Sequence, residues 1–219
     1  MQKNKEVKIS MQHWNGNQMC AIDVETTGRD AGYHEIVEIC ILPLDVNLKP
    51  RKDVLPFNIF LIPDHPERFD KSARACHGKN LAYIMKHGFE RFAAIDMLQT
   101  WIDKLGLPFT KSKAKSQRCK IIPLAHNYVF DIAFVKAWLG NDQYNEWFFG
   151  HFRDTMQIAL YLNDHAAQHA EKVPFSKVGL GWLANQFNIE HDQLHEALTD
   201  CRVTADVYKA MLDKGLMAC

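Results

Sequence analysis

Ala21-Ile22-Asp23-Val24-Glu25-Thr26-Thr27-Gly28 is the stretch on which the fold turns. From Gln18 to Val24 the chain is apolar and strand-like, yet Asp23 interrupts it, and Asp is depleted in strands. Strand side chains alternate faces, so Asp23 and Glu25 point the same way, roughly 7 Å apart along the strand. Two carboxylates aimed at one spot repel unless a cation lies between them. A hard ion such as Mg²⁺ or Mn²⁺ suits them, although a strand-end pair facing solvent reads the same way. Outward from this strand, Tyr33 to Leu44 and Val54 to Ile62 read as two more, punctuated by Pro43, Pro50 and Pro56, which predicts an antiparallel meander.

Further along, the pattern changes to alternating helices and strands. Glu67 to Cys76 reads as a short helix ending near Gly78. Phe92, Ile95, Leu98, Trp101, Ile102 and Leu105 make one stripe of a helix over 89–105. Lys111 to Lys120 reads as a basic loop with five cations and no acid, leading into a short buried strand over 121–125. Helices follow over 130–139, from Asp154 to Tyr161, over 178–187 and over 197–212. Trp147, Phe148 and Phe149 read as a strand or an exposed dimer patch. A meander followed by alternation predicts one α/β domain with a mixed sheet over 18–219, preceded by a polar arm over 1–17.

The whole chain has 219 residues, 47% hydrophobic and 24% charged, with 26 Lys and Arg against 26 Asp and Glu. That balance excludes a strongly basic architectural protein but leaves room for a local patch that binds nucleic acid. No apolar run approaches the ~20 residues of a membrane helix, and the lysine-rich first ten residues have no apolar segment behind them. The six cysteines form no C-x-x-C pair and several lie in apolar runs, so free thiols and a cytoplasmic, reducing location are expected.

Two further segments carry carboxylates. His126-Asn127-Tyr128-Val129-Phe130-Asp131 follows the short strand, and ligands gather beyond strand ends in α/β sheets. Asp131 in the first turn of a helix also simply complements the helix dipole. In His195-Glu196-Ala197-Leu198-Thr199-Asp200 the acid shares a helix face with Thr204, Val207 and Met211. A carboxylate on such a stripe is costly without a partner. His195 is five residues earlier, about 140° away on a regular helix, so it belongs to the loop before it.

Together these segments resemble the DEDDh family of 3′–5′ exonucleases, the group that includes the proofreading subunit of bacterial replicative polymerase and ribonuclease T. The likeness spans Ala21 to about Ala210, through Asp23-x-Glu25-Thr26-Thr27-Gly28, His126-Asn127-x-x-Phe130-Asp131 and His195-x-Ala197-x-x-Asp200. Arg153-Asp154-Thr155 looks like the family's Asp-Thr between the second and third motifs. The resemblance implies a ribonuclease H-like fold, a five-stranded mixed β-sheet flanked by α-helices. It implies two divalent ions, Mg or Mn, held by Asp23, Glu25, Asp131 and Asp200. It also implies His195 as general base in releasing nucleoside 5′-monophosphates from a nucleic-acid 3′ end, single-stranded, with DNA placed ahead of RNA. Thr26, Thr27, His126 and Asn127 would meet the terminal nucleotide.

Two positions depart from the pattern. Arg29 stands where the family often has a bulky apolar wedge; a guanidinium can stack on a base, pair with phosphate or face water. Tyr128 occupies a position that is usually small, to stack on a nucleotide or to narrow the site. The alternatives are a ribonuclease T-like trimming enzyme and a catalytically silent binding module of the same fold. A proofreading role would need a polymerase partner, since this chain carries no polymerase domain. Oligomeric state does not follow. A zinc motif finds no support in spacing: His165/His169 and His191/His195 are i, i+4 pairs, but no cysteine lies at ligand spacing beside either.

Overall fold

The computed structural model describes residues 14–111, 116–191 and 195–215. Its centre is β1 (Gln18–Thr26), flanked by β2 (Ile36–Pro43) and β6 (Ile121–Ala125). With β3 (Phe57–Phe60) and β7 (Arg153–Asp154) they form a five-stranded sheet in the order β3-β2-β1-β6-β7. The β1–β2 and β2–β3 pairs are antiparallel, and β1–β6 and β6–β7 are parallel, so the sheet is mixed as expected.

The two faces of β1 pack differently. Cys20, Ile22 and Val24 join a core with Leu98 and Ile102 of α3 (Arg91–Lys104) and with Phe134 and Val135 of α4 (Tyr128–Leu139). Met19 and Ala21 instead pack against Ala197, Cys201, Ala205 and Tyr208 of α8 (Ala197–Gly215). Each fully buried aliphatic side chain here contributes roughly 1.5–3 kcal/mol. Strand alternation puts Asp23 and Glu25 on the α8 side, where the sheet runs out toward its carboxyl end. A register shift at Glu25/Thr26 bends the strand there.

A third cluster joins α8 to α6 (Thr155–Gln168) and α7 (Leu180–Gln186) through Ala159, Leu183, Ala184, Val203, Val207 and Met211. The last two, with Asp200 and Thr204, are the stripe read from the sequence, and all four are buried.

Several expected boundaries move. Strand β2 begins at Ile36 because Asp30 organises a tight loop before it. The Asp30 carboxylate accepts from the Gly32 N–H at 2.8 Å, and its carbonyl accepts from the Tyr33 N–H at 3.0 Å. The expected helix over 67–76 is α1 (Lys71–His77), ended by Gly78 in the left-handed conformation. A helix α2 (Leu81–His87) precedes α3, its cap Asn80 accepting from the Tyr83 N–H at 3.2 Å. The expected basic loop is a hairpin, β4 (Phe109–Lys111) against β5 (Ser116–Arg118); Lys113 and Lys115 lie outside the described residues. Trp147 ends α5 (Asn141–Trp147), and Trp147 and Phe148 are buried in the core, so they form no exposed patch; Phe148 makes a single parallel bridge to Ile121 in place of a strand. The five described cysteines are free thiols, and no helix among the described residues is long and apolar enough to cross a membrane.

Candidate active site

Four carboxylates converge at the carboxyl end of β1. Asp23 and Glu25 come from the strand itself and Asp200 from the first turn of α8, which crosses that face. Asp131 comes from the first turn of α4, and its Oδ1 accepts from the Val24 N–H at 3.2 Å. With His195, His126, Asn127, Arg29 and Thr26 they line a cleft of about 420 Å³.

The turn from β6 into α4 makes this possible. Asn127 takes a left-handed conformation, φ 65°, which Asn tolerates better than most residues. Asp154 then ties two helix starts together. Its carboxylate accepts from the Asn127 and Tyr128 N–H groups ahead of α4, at 3.0 and 2.9 Å. It also accepts from Met156 and Gln157 in the first turn of α6, at 2.9 and 3.3 Å. Next to it, His126 Nδ1 meets Thr155 Oγ1 at 2.8 Å. Burial holds the His126 ring below its ordinary pKa despite the nearby Asp154 charge, which favours the neutral imidazole.

His195 lies before α8, as its spacing from Asp200 predicted, with φ 74°. Positive φ is costly for a side chain of this size and is held here by a bond from the His195 N–H to Asp200 Oδ2 at 3.1 Å. The ring is exposed to the cleft. A ring nitrogen of His195 and carboxylate oxygens of Glu25 and Asp200 lie within 4.8 Å of one another.

The electrostatics of this cluster are those of a cation site. Burial raises the pKa of Asp23, and the charges of Asp131, Asp200 and Glu25 raise it further. Burial pushes Glu25 up to about 8, against the opposing pull of Lys79. Asp131 and Asp200 are also raised by burial, partly offset by the backbone N–H groups they accept from. Asp23 Oδ2 and Asp200 Oδ1 are buried with no hydrogen-bond partner. Orphaned carboxylate oxygens are costly in a low-dielectric site, and hard divalent ions prefer oxygen ligands, so the residues present fit Mg²⁺ or Mn²⁺.

The predicted substrate contacts divide. Thr26, Arg29, His126 and Asn127 line the cleft. Thr27 does not: it is fully buried, its hydroxyl accepting from the Glu35 N–H at 2.9 Å and meeting His34 Nδ1 at 3.3 Å. Tyr128 does not either. It is fully buried, its hydroxyl 2.9 Å from that of Tyr144 and its ring against Phe152, so it neither stacks on a nucleotide nor narrows the cleft. Gly28 is required by close approach, since a Cβ there would collide with the His34 ring.

Other residues were not legible as site residues. Ser72, Ala73, Cys76 and His77 of α1 form a wall of the cleft, and His77 Nε2 meets the Thr26 carbonyl at 3.1 Å. Lys79 pairs with Glu38 at 2.6 Å, and Glu38 is the cross-strand partner of Glu25. Like charges directly opposite on a sheet destabilise it, and Lys79 offsets this pair. Only the glycine signal at Gly78 hinted at order here.

A family model described as exonuclease matches residues 20–111, which include Asp23 and Glu25 but not Asp131 or Asp200. Among curated proteins, the chain is 27% identical over 189 residues to DNA polymerase III PolC-type of Listeria welshimeri, covering 85% of this chain and 11% of that protein. It is also 27% identical over 190 residues to the PolC-type polymerase of Staphylococcus saprophyticus, covering 87% and 11%. The chain thus spans about 11% of the length of these relatives. Among solved structures, exonuclease I from Methylocaldum szegediense superposes with a TM-score of 0.64 at 19% identity, over 90% of this chain and 41% of that one. Cell-death related nuclease 4 gives 0.63 at 17%, over 91% and 64%. E. coli exonuclease I in complex with a dT13 oligonucleotide gives 0.64 at 16%, over 92% and 42%. At these identities the structures establish a shared ribonuclease H-like fold.

Proposed function

We propose that the chain is a DEDD 3′–5′ exonuclease of the ribonuclease H-like superfamily, one that removes nucleotides from the 3′ end of single-stranded nucleic acid, with DNA preferred to RNA. The observation that carries this reading is the meeting of Asp23, Glu25, Asp131 and Asp200 in one cleft, with two buried oxygens lacking partners. We infer that these four hold two divalent ions, Mg or Mn. When bound, such ions lower the pKa of water and stabilise charge on the attacking and leaving oxygens.

The chain's own groups do the rest. Glu25 must lose its proton to take up a cation, since burial holds its pKa near 8. His195, on a backbone fixed against Asp200, accepts the proton of the attacking water on its imidazole. Arg29 on the exposed rim, with Thr26, His126 and Asn127, contacts the terminal nucleotide. The wall made by α1 keeps the strand end against the carboxylates.

Single-stranded DNA is favoured because E. coli exonuclease I, which shares this fold, was solved with a dT13 oligonucleotide. The PolC-type relatives support a replication context with a polymerase partner. A reducing cytoplasmic setting suits the free thiols of the described cysteines, and we infer one exonuclease domain over 18–219.

Matched 5′-labelled oligonucleotides test the substrate class. Shortening of single-stranded DNA faster than RNA of the same sequence supports the DNA reading. Faster shortening of RNA replaces it with the trimming exoribonuclease.

A further inference from the structure

Cys76 and His195 are 119 residues apart in sequence but face each other across the cleft, Cys76 Sγ to His195 Nδ1 at 3.8 Å. Cys76 is exposed, in the last turn of α1, and lines the same cleft as the carboxylates. Beside this pair, carboxylate oxygens of Glu25 and Asp200 approach a ring nitrogen of His195 within 4.8 Å. Asp200 is 7% exposed, and its Oδ1 is buried without a partner.

We propose that Cys76, His195, Asp200 and Glu25 form a second, inhibitory metal site for a borderline-soft ion such as Zn²⁺. The separation of Cys76 Sγ from His195 Nδ1 is close to what a tetrahedral centre needs. Zinc–sulfur and zinc–nitrogen bonds of about 2.3 and 2.0–2.1 Å place those two ligand atoms roughly 3.6 Å apart. The donor set is also the right kind: a thiolate and an imidazole select zinc over magnesium, which keeps to oxygen ligands. On binding, the Cys76 S–H bond breaks, an Sγ–metal bond forms and the proton passes to solvent. The ion then occupies the imidazole that the proposed mechanism uses as a base, and it draws two carboxylates away from the catalytic ions.

The inhibitory part rests on the exonuclease reading; the binding part does not, so the two are tested separately. Binding is followed by titrating the whole chain with Co²⁺ and recording the near-ultraviolet thiolate-to-cobalt charge-transfer band. A saturable band in the wild type that Cys76→Ser loses is expected. No band, or one that Cys76→Ser keeps, overturns the site. Inhibition is followed as the Zn²⁺ concentration that halves each protein's own Mg²⁺-supported nucleotide release. That concentration should rise by about 10-fold or more in Cys76→Ser; equal sensitivity overturns the inhibitory role. A band lost in Cys76→Ser, with no Mg²⁺-supported release from the wild type, upholds the metal site and overturns the exonuclease reading.

Discussion

Glu25→Gln should stabilise the metal-free protein, increasingly so as pH rises. Glu25 is 8% exposed, and its pKa moves from 4.5 to about 8 on burial in the cleft. Between those values the folded protein holds a proton that the unfolded chain has released. The folded state binds more protons there, so stability falls with rising pH, by ~1.4 kcal/mol per unit for this group. Nothing is lost below pH 4.5, and the loss is complete above about pH 8. Over that window the ceiling is about 5 kcal/mol. Gln cannot ionise, so the variant escapes this loss, and Asp23, also raised by burial, still steepens both curves. Urea unfolding in EDTA from pH 5 to pH 9 measures the difference. Added Mg²⁺ should then stabilise the wild type at high pH more than the variant. A wild-type stability that rises through this window, or a variant that runs parallel to it, would refute the burial argument.

Four other outcomes follow from the same contacts. Asp154→Ala strips the acceptor from four N–H groups at two helix starts and should cost about 2–4 kcal/mol in chemical unfolding. Tyr128→Phe should cost about 1–2 kcal/mol of stability by leaving the Tyr144 hydroxyl unpaired, while KM for an oligonucleotide stays unchanged; a raised KM would restore Tyr128 to the substrate site. His195→Ala should lower turnover ~10²–10⁴-fold with folding intact by circular dichroism. Replacing Lys111, Lys113 and Lys115 should flatten the salt dependence of oligonucleotide binding if the hairpin tracks phosphate. Arg118 and Lys120 are left out of that set because they hold Asp103 and the Asn145 carbonyl.

What could be read from sequence was what periodicity carries. Alternation along β1 put Asp23 and Glu25 on one face, and the spacing from Asp200 to Met211 put an acid on a buried stripe of α8; both hold in the fold. The Tyr128 error came from starting α4 two residues late. With the helix begun at Tyr128, that residue joins the buried Asp131, Phe134, Val135 and Trp138, at helical spacing. Glu25 and Thr26 are neighbours that both line the cleft, since a register shift ends the simple alternation between them, and Thr27 then turns into the interior. Two-residue β7 and seven-residue α2 and α5 are too short to show a period. Cys76 and Lys79 reach the site only because the α1–α2 connection folds back on the end of β1, where His77 contacts the Thr26 carbonyl. Local pattern does not encode such a long-range approach.

The four carboxylates should support metal-dependent hydrolysis from the 3′ end. Wild type and Asp200→Ala should be incubated with 5′-labelled single-stranded DNA in Mg²⁺ or Mn²⁺, and nucleoside 5′-monophosphate release measured over time. A ladder shortening from the 3′ end is expected with the wild type, and almost none with the variant. Undiminished release by Asp200→Ala, or no release by the wild type with either metal on DNA or RNA, would contradict this role of the carboxylates.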